Sequence, residues 1–130
     1  MSLLLGGTLA KNRDVKFTLC HAGGPLPALS GRIAMLAANS RQKLDVVAPD
    51  GIHAEFKRLY YDTANAAYPP SMAALMAEVP ISQIMFGSDY PYVNDKQNRD
   101  ALESLKLPAA DLIAIESGNA KRLIPRLAKT

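Results

Sequence analysis

Short apolar runs alternate with stretches of helical periodicity along this chain, the pattern of repeated β/α units. Val15-Lys16-Phe17-Thr18-Leu19-Cys20 predicts a first strand, preceded by turn-forming Asn12-Arg13-Asp14 and closed by His21-Ala22-Gly23-Gly24-Pro25. Leu26, Leu29, Ile33 and Leu36 then fall on one face of a helix ending near Asn39, and the stretch from Arg41 to Ala54 reads as loop. Arg58 to Thr63, rich in aromatic and β-favouring residues, predicts the second strand. A helix follows from Pro69-Pro70-Ser71, with Ser71 as its N-cap and Met72, Leu75, Met76 and Val79 on its buried side. Ile81 to Phe86 predicts the third strand, closed by Gly87-Ser88-Asp89-Tyr90-Pro91. Helices are expected from Asp95 to Leu105 and from Ala109 to Ser117, with Gly118 as C′ residue and Asn119 restarting a short turn that Pro125 closes. Ser2 to Lys11 reads as the tail of a preceding helix. The fold class is therefore α/β, about three β/α units with parallel strands.

Composition adds bounds. The chain has 130 residues, 48% hydrophobic and 21% charged, which is ordinary for one globular domain and excludes disordered, collagen-like and coiled-coil classes. No apolar run reaches the roughly 18–20 residues that cross a bilayer. The apolar start, Met1 to Leu5, has neither basic flank nor cleavage site, so a signal peptide is not expected. One cysteine cannot form an internal disulfide, which suits a reducing, cytoplasmic compartment. The net charge of +3 is dispersed, and aromatics make up only 6%, so a nucleic-acid partner is not expected. Lys121, Arg122, Arg126 and Lys129 read as the solvated end of a last helix, where cations suit the negative pole.

The candidate chemistry lies at two strand ends. His-x-His, His-Glu-x-x-His, Cys-x-x-Cys, P-loop, Gly-x-Gly-x-x-Gly and Gly-x-Ser-x-Gly motifs are all absent. His21 ends the first strand and Asp89 the third, and in α/β sheets and barrels the carboxyl strand ends carry the ligand site. Together they form a proton-transfer pair or two ligands of a divalent metal; separately, His21 is a hydrogen-bonded structural residue and Asp89 a turn cap. Gly23 and Gly24 allow a sharp turn and close approach of a substrate, or cradle a phosphate at the following helix. Asp62 either faces the mouth of the sheet or caps its loop. Cys20 should point away from His21 as a small buried hydrophobe, His53 should face solvent in a polar loop, and Arg32 should pair with an acid or pack.

Four ordered stretches carry a family resemblance: His21-Ala22-Gly23-Gly24-Pro25-Leu26-Pro27 with Gly31-Arg32-Ile33, Leu59 to Ala64, Ile84 to Pro91, and Gly118 to Leu123. They resemble the amidohydrolase-related group of the amidohydrolase superfamily, which contains aminocarboxymuconate-semialdehyde and 6-methylsalicylate decarboxylases. The resemblance implies the C-terminal part of a TIM-like (β/α)8 barrel, a single partial barrel domain over residues 1–130 with strands six to eight. A whole barrel takes about 250 residues, roughly twice this length. It also implies a divalent metal, usually zinc, at the strand ends, with His21 as acid/base and Asp89 as metal-bound carboxylate. The implied activity is hydrolysis or nonoxidative decarboxylation of a small carboxylated or cyclic substrate. The family's remaining metal ligands, a His-x-His on the first strand and a histidine on the fifth, have no counterpart here, and metal binding by this chain alone is not expected to be tight. The rival expectation is a truncated barrel module without chemistry. Either way the uncovered sheet face and open edges predict a homo-oligomer.

Overall fold

The computed structural model describes residues 2–39 and 44–129; Met1 of the apolar start and Arg41 of the expected loop lie outside them. Two short helices, α1 (Ser2–Leu5) and α2 (Thr8–Lys11), open the chain, separated by Gly6-Gly7 with Gly7 at φ 74° rather than forming one helical tail. The strands are β1 (Thr18–Leu19), β2 (Tyr60–Asp62) and β3 (Ile84–Met85), a parallel sheet in the order β1-β2-β3. All three are shorter than the sequence pattern predicts. Pairing covers the later part of each apolar run, and the first residues lie outside it, Ile81–Gln83 as a 3-10 turn before β3.

Register aligns Leu19 with Tyr61 and Tyr61 with Ile84, so these three share the face that packs on the helices. Thr18, Tyr60, Asp62 and Met85 share the opposite face by the same alignment. Tyr61 and Ile84 are fully buried, and the Tyr61 hydroxyl donates to the carbonyl of Phe56 (3.1 Å). Burial, with the charge of Glu78 behind it, pushes the Tyr61 phenol well above its ordinary pKa.

After β1 the chain winds through turns before α3 (Ser30–Ala38), which buries Ser30, Ile33 and Ala37. Leu29 and Leu36, expected inside, are 45% and 46% exposed and line an open groove with Leu19, Leu26 and Arg32. Because the helix starts at Ser30, not at the glycines, the rows 30/33/37 face the core. The expected loop before β2 contains two helices, α4 (Leu44–Val47) and α5 (Ile52–Arg58). Its Pro49-Asp50-Gly51 turn separates them, and Ile52 and Phe56 at i, i+4 are buried. Helix α6 (Pro69–Glu78) has Tyr68 as N-cap and Pro69 at its first position, so Ser71 sits inside the first turn. Met72, Leu75 and Val79 are buried as expected, with Met76 packed beside them.

Helix α7 (Asp95–Ser104) is capped by the Asn94 side chain, which accepts from the Lys96 backbone N–H (2.8 Å). The C-terminal helix runs as α8 (Ala109–Ile113), a π-helical segment (Ala114–Gly118) and α9 (Asn119–Leu123) without a break. Gly118 is therefore no C′ residue: its φ/ψ of −59°/−45° is right-handed helical. The extra residue of the π turn aims buried Asn119 at the start of β3, where its Nδ2 donates to the carbonyls of Ile81, in the preceding 3-10 turn, and Ile84, in the strand (2.7 Å each). Lys121, Arg122, Arg126 and Lys129 are exposed as expected, and Arg122 also donates to the Ser82 carbonyl.

Candidate functional site

Two to four residues past each strand lies a residue with left-handed backbone whose side chain enters one cluster: His21 after β1 (φ 54°), Asn65 after β2 (φ 52°) and Asp89 after β3 (φ 61°). Such φ values cost non-glycine residues roughly 1–2 kcal/mol each, so the surrounding loops must hold them. Asp62 holds the first. Its Oδ1 accepts from the backbone N–H of His21 (2.9 Å) and of Ala64 (3.0 Å), which makes it the cap joining the β1 and β2 loops. Gly87 lets the chain after β3 pass close to that cap, since a Cβ there would lie 3.0 Å from Asp62 Cβ and Cγ, tighter than ordinary contact.

The imidazole of His21 is oriented by the Ala64 carbonyl, 2.8 Å from Nδ1. A carbonyl only accepts, so Nδ1 carries the hydrogen and Nε2 is the nitrogen whose proton is exchanged. Nε2 faces Asp89 Oδ1 at 3.9 Å, with the two side chains 46% and 25% exposed. The other Asp89 oxygen, Oδ2, accepts from Asn65 Nδ2 (3.3 Å). The fold thus brings together the two strand-end residues that the sequence singles out. No sequence signal singles out Asn65, nor, by itself, buried Asn98, whose Oδ1 accepts from the Asn65 backbone N–H (2.8 Å) and whose Nδ2 donates to the Ser88 carbonyl (2.7 Å). The one available signal was an asparagine four residues before Leu102, the two buried positions of an otherwise charged helix.

The other candidates resolve differently. Gly23 (φ 75°) lies against the Tyr61 ring, where an added Cβ would be 2.9 Å from Cε1, while Gly24 (φ 58°) has nothing within 4 Å. Neither opens a helix directly, because turns separate them from α3, so the phosphate-cradle geometry is not formed. Cys20 is exposed, not buried. Pairing ends at Leu19 and His21 adopts a left-handed turn, so strand alternation does not extend to it. His53 is half-exposed but helical, with Nδ1 2.6 Å from Glu78 Oε1 and its ring edge-on to Phe56. Arg32 is exposed on the groove and has no acidic partner among the described residues. Among the described residues, no three His, Cys, Asp or Glu side chains are grouped to hold a metal ion, and no helix is long and apolar enough to cross a membrane.

Comparison with known proteins supplies the wider frame. The chain is 33% identical over 130 residues to 6-methylsalicylic acid decarboxylase from Penicillium expansum, covering 98% of this chain but only 40% of that enzyme. The fold superposes on dihydroxybenzoic acid decarboxylase from Polaromonas sp. JS666, solved with manganese and the inhibitor 2-nitroresorcinol, with a TM-score of 0.80 and 26% identity over 93% of this chain and 37% of that one. It is also similar in fold to 2,6-dihydroxybenzoate decarboxylase from Rhizobium, with a TM-score of 0.79 and 22% identity over 93% of this chain and 38% of that one. The three-stranded parallel sheet is accordingly part of a barrel. The amidohydrolase family pattern matches residues 1–126, and the chain belongs to that family.

Proposed function

We propose that this chain is the C-terminal part of a metal-dependent, nonoxidative decarboxylase of a small aromatic carboxylic acid, with β1, β2 and β3 as strands six to eight of the barrel. The meeting of His21 and Asp89 at the carboxyl ends of β1 and β3 carries the reading. Releasing carbon dioxide from an aromatic acid requires a proton on the ring carbon, while the electron pair of the broken C–C bond returns to the ring. His21 suits the donor role, because the Ala64 carbonyl fixes Nδ1–H and leaves Nε2 as the proton-carrying atom at the mouth of the sheet. Asp89 stabilises the charged imidazolium before transfer, and the half-exposed ring regains its proton from water. Gly24 has room for a ligand against its backbone, whereas the space beside Gly23 is taken by Tyr61.

Asp89 is the carboxylate this chain would contribute to a divalent metal, manganese by likeness to the Polaromonas enzyme or zinc by the family resemblance. A tight site takes at least three protein ligands, and the described residues group no such set, so no step is assigned to the metal. Decarboxylation is favoured over hydrolysis because the relatives are decarboxylases. A module without chemistry rests on the absent ligands alone and draws no support from the relatives.

The same reading includes a cytoplasmic setting, consistent with exposed, free Cys20, and self-association through the β1 edge and exposed Leu29, Met35 and Leu36. Sedimentation at micromolar concentration should show a dimer or larger species; a clean monomer refutes that part. The central test incubates the chain with 6-methylsalicylate or a dihydroxybenzoate and manganese or zinc, following loss of the carboxylate by chromatography. Turnover abolished by Asp89→Asn and by His21→Ala supports the proposal; an inert, metal-free protein overturns it for this chain.

A further inference from the structure

We infer that Asn65 and Asn98 are positioning residues that fix the rotamer of Asp89 and thereby aim its Oδ1 at His21, an inference that rests on the proton-transfer role proposed for that pair. Asp89 sits on a left-handed residue in an exposed loop and has no neighbour in its own turn that holds its carboxylate. A carboxylate so placed rotates freely about χ1 unless something outside the turn ties it. Among the described residues, Asn65 Nδ2 is the group that donates to it, at 3.3 Å on Oδ2, leaving Oδ1 turned toward His21 Nε2.

Asn65 is itself exposed and left-handed, so it needs an anchor. Asn98 provides one from inside α7. Its side chain is buried, with the residue 3% exposed, and the two ends of its amide face two different strand-end loops. Oδ1 takes the Asn65 backbone N–H after β2, and Nδ2 gives to the Ser88 carbonyl, one residue before Asp89 after β3. A single buried amide thus sets the separation of the loop that carries the donor from the loop that carries the acceptor. An aliphatic residue of the same size would fill the space but hold neither loop. Burying an amide on an otherwise charged helix is costly unless both ends are bonded, and here both are.

The test uses the full chain labelled for nuclear magnetic resonance, reading the three-bond couplings across χ1 of Asp89. Asn65→Gly is the informative variant, because glycine accepts the left-handed backbone and only the amide is lost. Wild-type protein should show one Asp89 rotamer; Asn65→Gly should average it with little change in thermal midpoint. Asn98→Ala should average it too and speed hydrogen exchange at the Asn65 amide about tenfold, as expected for one lost hydrogen bond. Should Asn98→Ala fail to fold, Asn98→Asp keeps the acceptor for Asn65 but loses the donor to Ser88, and should protect the Asn65 amide while still loosening Asp89. In protein that turns over, Asn65→Gly should lower kcat about tenfold or more with KM nearly unchanged. A single Asp89 rotamer retained in Asn65→Gly overturns the inference, as does averaging already present in the wild type. Absence of turnover in wild-type protein counts against the decarboxylase reading, while the couplings still decide the positioning role.

Discussion

The sharpest energetic expectation concerns Glu55, a carboxylate with no exposed side-chain surface, held between Arg13 and Arg58. Arg58 Nη1 donates to Oε2 at 2.8 Å, and its Nη2 reaches the Arg13 carbonyl at 3.3 Å. Arg13 Nη1 lies 2.8 Å from Oε1 but out of hydrogen-bonding alignment, so Oε1 is ion-paired without a directed bond. The three charges tie the turn before β1 to α5. The Arg13 and Arg58 side chains are 36% and 35% exposed and their guanidiniums hydrate if released; the Glu55 side chain has no exposed surface. Stranding the buried charge is therefore the expensive event, not deleting it. Arg58→Ala leaves Glu55 buried with only a misaligned partner, which should cost about 3 kcal/mol within the roughly 3–5 kcal/mol range for breaking a buried pair. Arg13→Ala removes a coulombic contact but no aligned bond, and should cost about 1–2 kcal/mol. Glu55→Leu removes the buried charge and refills most of its volume, and should cost about 0–2 kcal/mol. The predicted order of loss is Arg58→Ala, then Arg13→Ala, then Glu55→Leu. Urea unfolding followed by circular dichroism, with m-values unchanged across the set, measures it. If Glu55→Leu proves the most destabilising of the three, the desolvation argument is wrong and the triad is held by attraction.

Three further outcomes follow from the same structure. Gly23→Ala combines a left-handed alanine with a Cβ 2.9 Å from the Tyr61 ring and should lose about 2–4 kcal/mol by urea unfolding; a loss below 1 kcal/mol would show that the ring moves aside. The Tyr61 phenol is held neutral in the fold, so the folded state keeps a proton that the unfolded chain releases above about pH 10. Its contribution is complete below that pH and is lost as pH rises further. Thermal midpoints taken from pH 8 to 11.5 should fall less steeply for Tyr61→Phe than for wild type, and parallel curves would refute the burial argument. Asn119→Ala strips the donor from the carbonyls of Ile81, in the turn before β3, and Ile84, in β3, and should cost about 2–3 kcal/mol, with the C-terminal helix losing hydrogen-exchange protection first.

The sequence made the β/α order legible because apolar runs of strand length are distinct from helical stripes, and it made His21 and Asp89 legible because each follows such a run. Boundaries were not legible. The helix after β1 starts at Ser30 since the left-handed residues 21–24 and two prolines consume the turn, and nothing in the apolar spacing of Leu26, Leu29 and Leu36 records that delay. The Arg41 to Ala54 stretch reads as loop through its polar residues and Pro49, yet Ile52 and Phe56 make a helix by burying one narrow side. Gly118 carries a stop signal that tertiary bonding overrides, because Asn119 gains the carbonyls of Ile81 and Ile84 if the helix continues. Asn65 and Asn98 escape any single-position reading. Their meaning lies in hydrogen bonds between loops that sequence distance conceals.

A left-handed residue follows each strand: among the described residues, three of the five non-glycine residues with positive φ lie two to four positions past the last paired residue and point into one cluster. Those conformations turn His21, Asn65 and Asp89 toward each other. Their cost, a few kcal/mol in total, is offset locally: Asp62 accepts two backbone N–H groups, Asn98 bonds both flanking loops, and Gly87 lets the chains close. None of these three touches the Nε2 to Oδ1 contact itself. The contacts proposed to keep the pair at 3.9 Å all come from this chain, whereas no metal-ligand set is grouped among the described residues. Because Asp89 is also the carboxylate proposed for the metal, Asn65→Gly is expected to loosen the proton-handling pair and that ligand together, while the Asp62 cap on the His21 backbone stays in place.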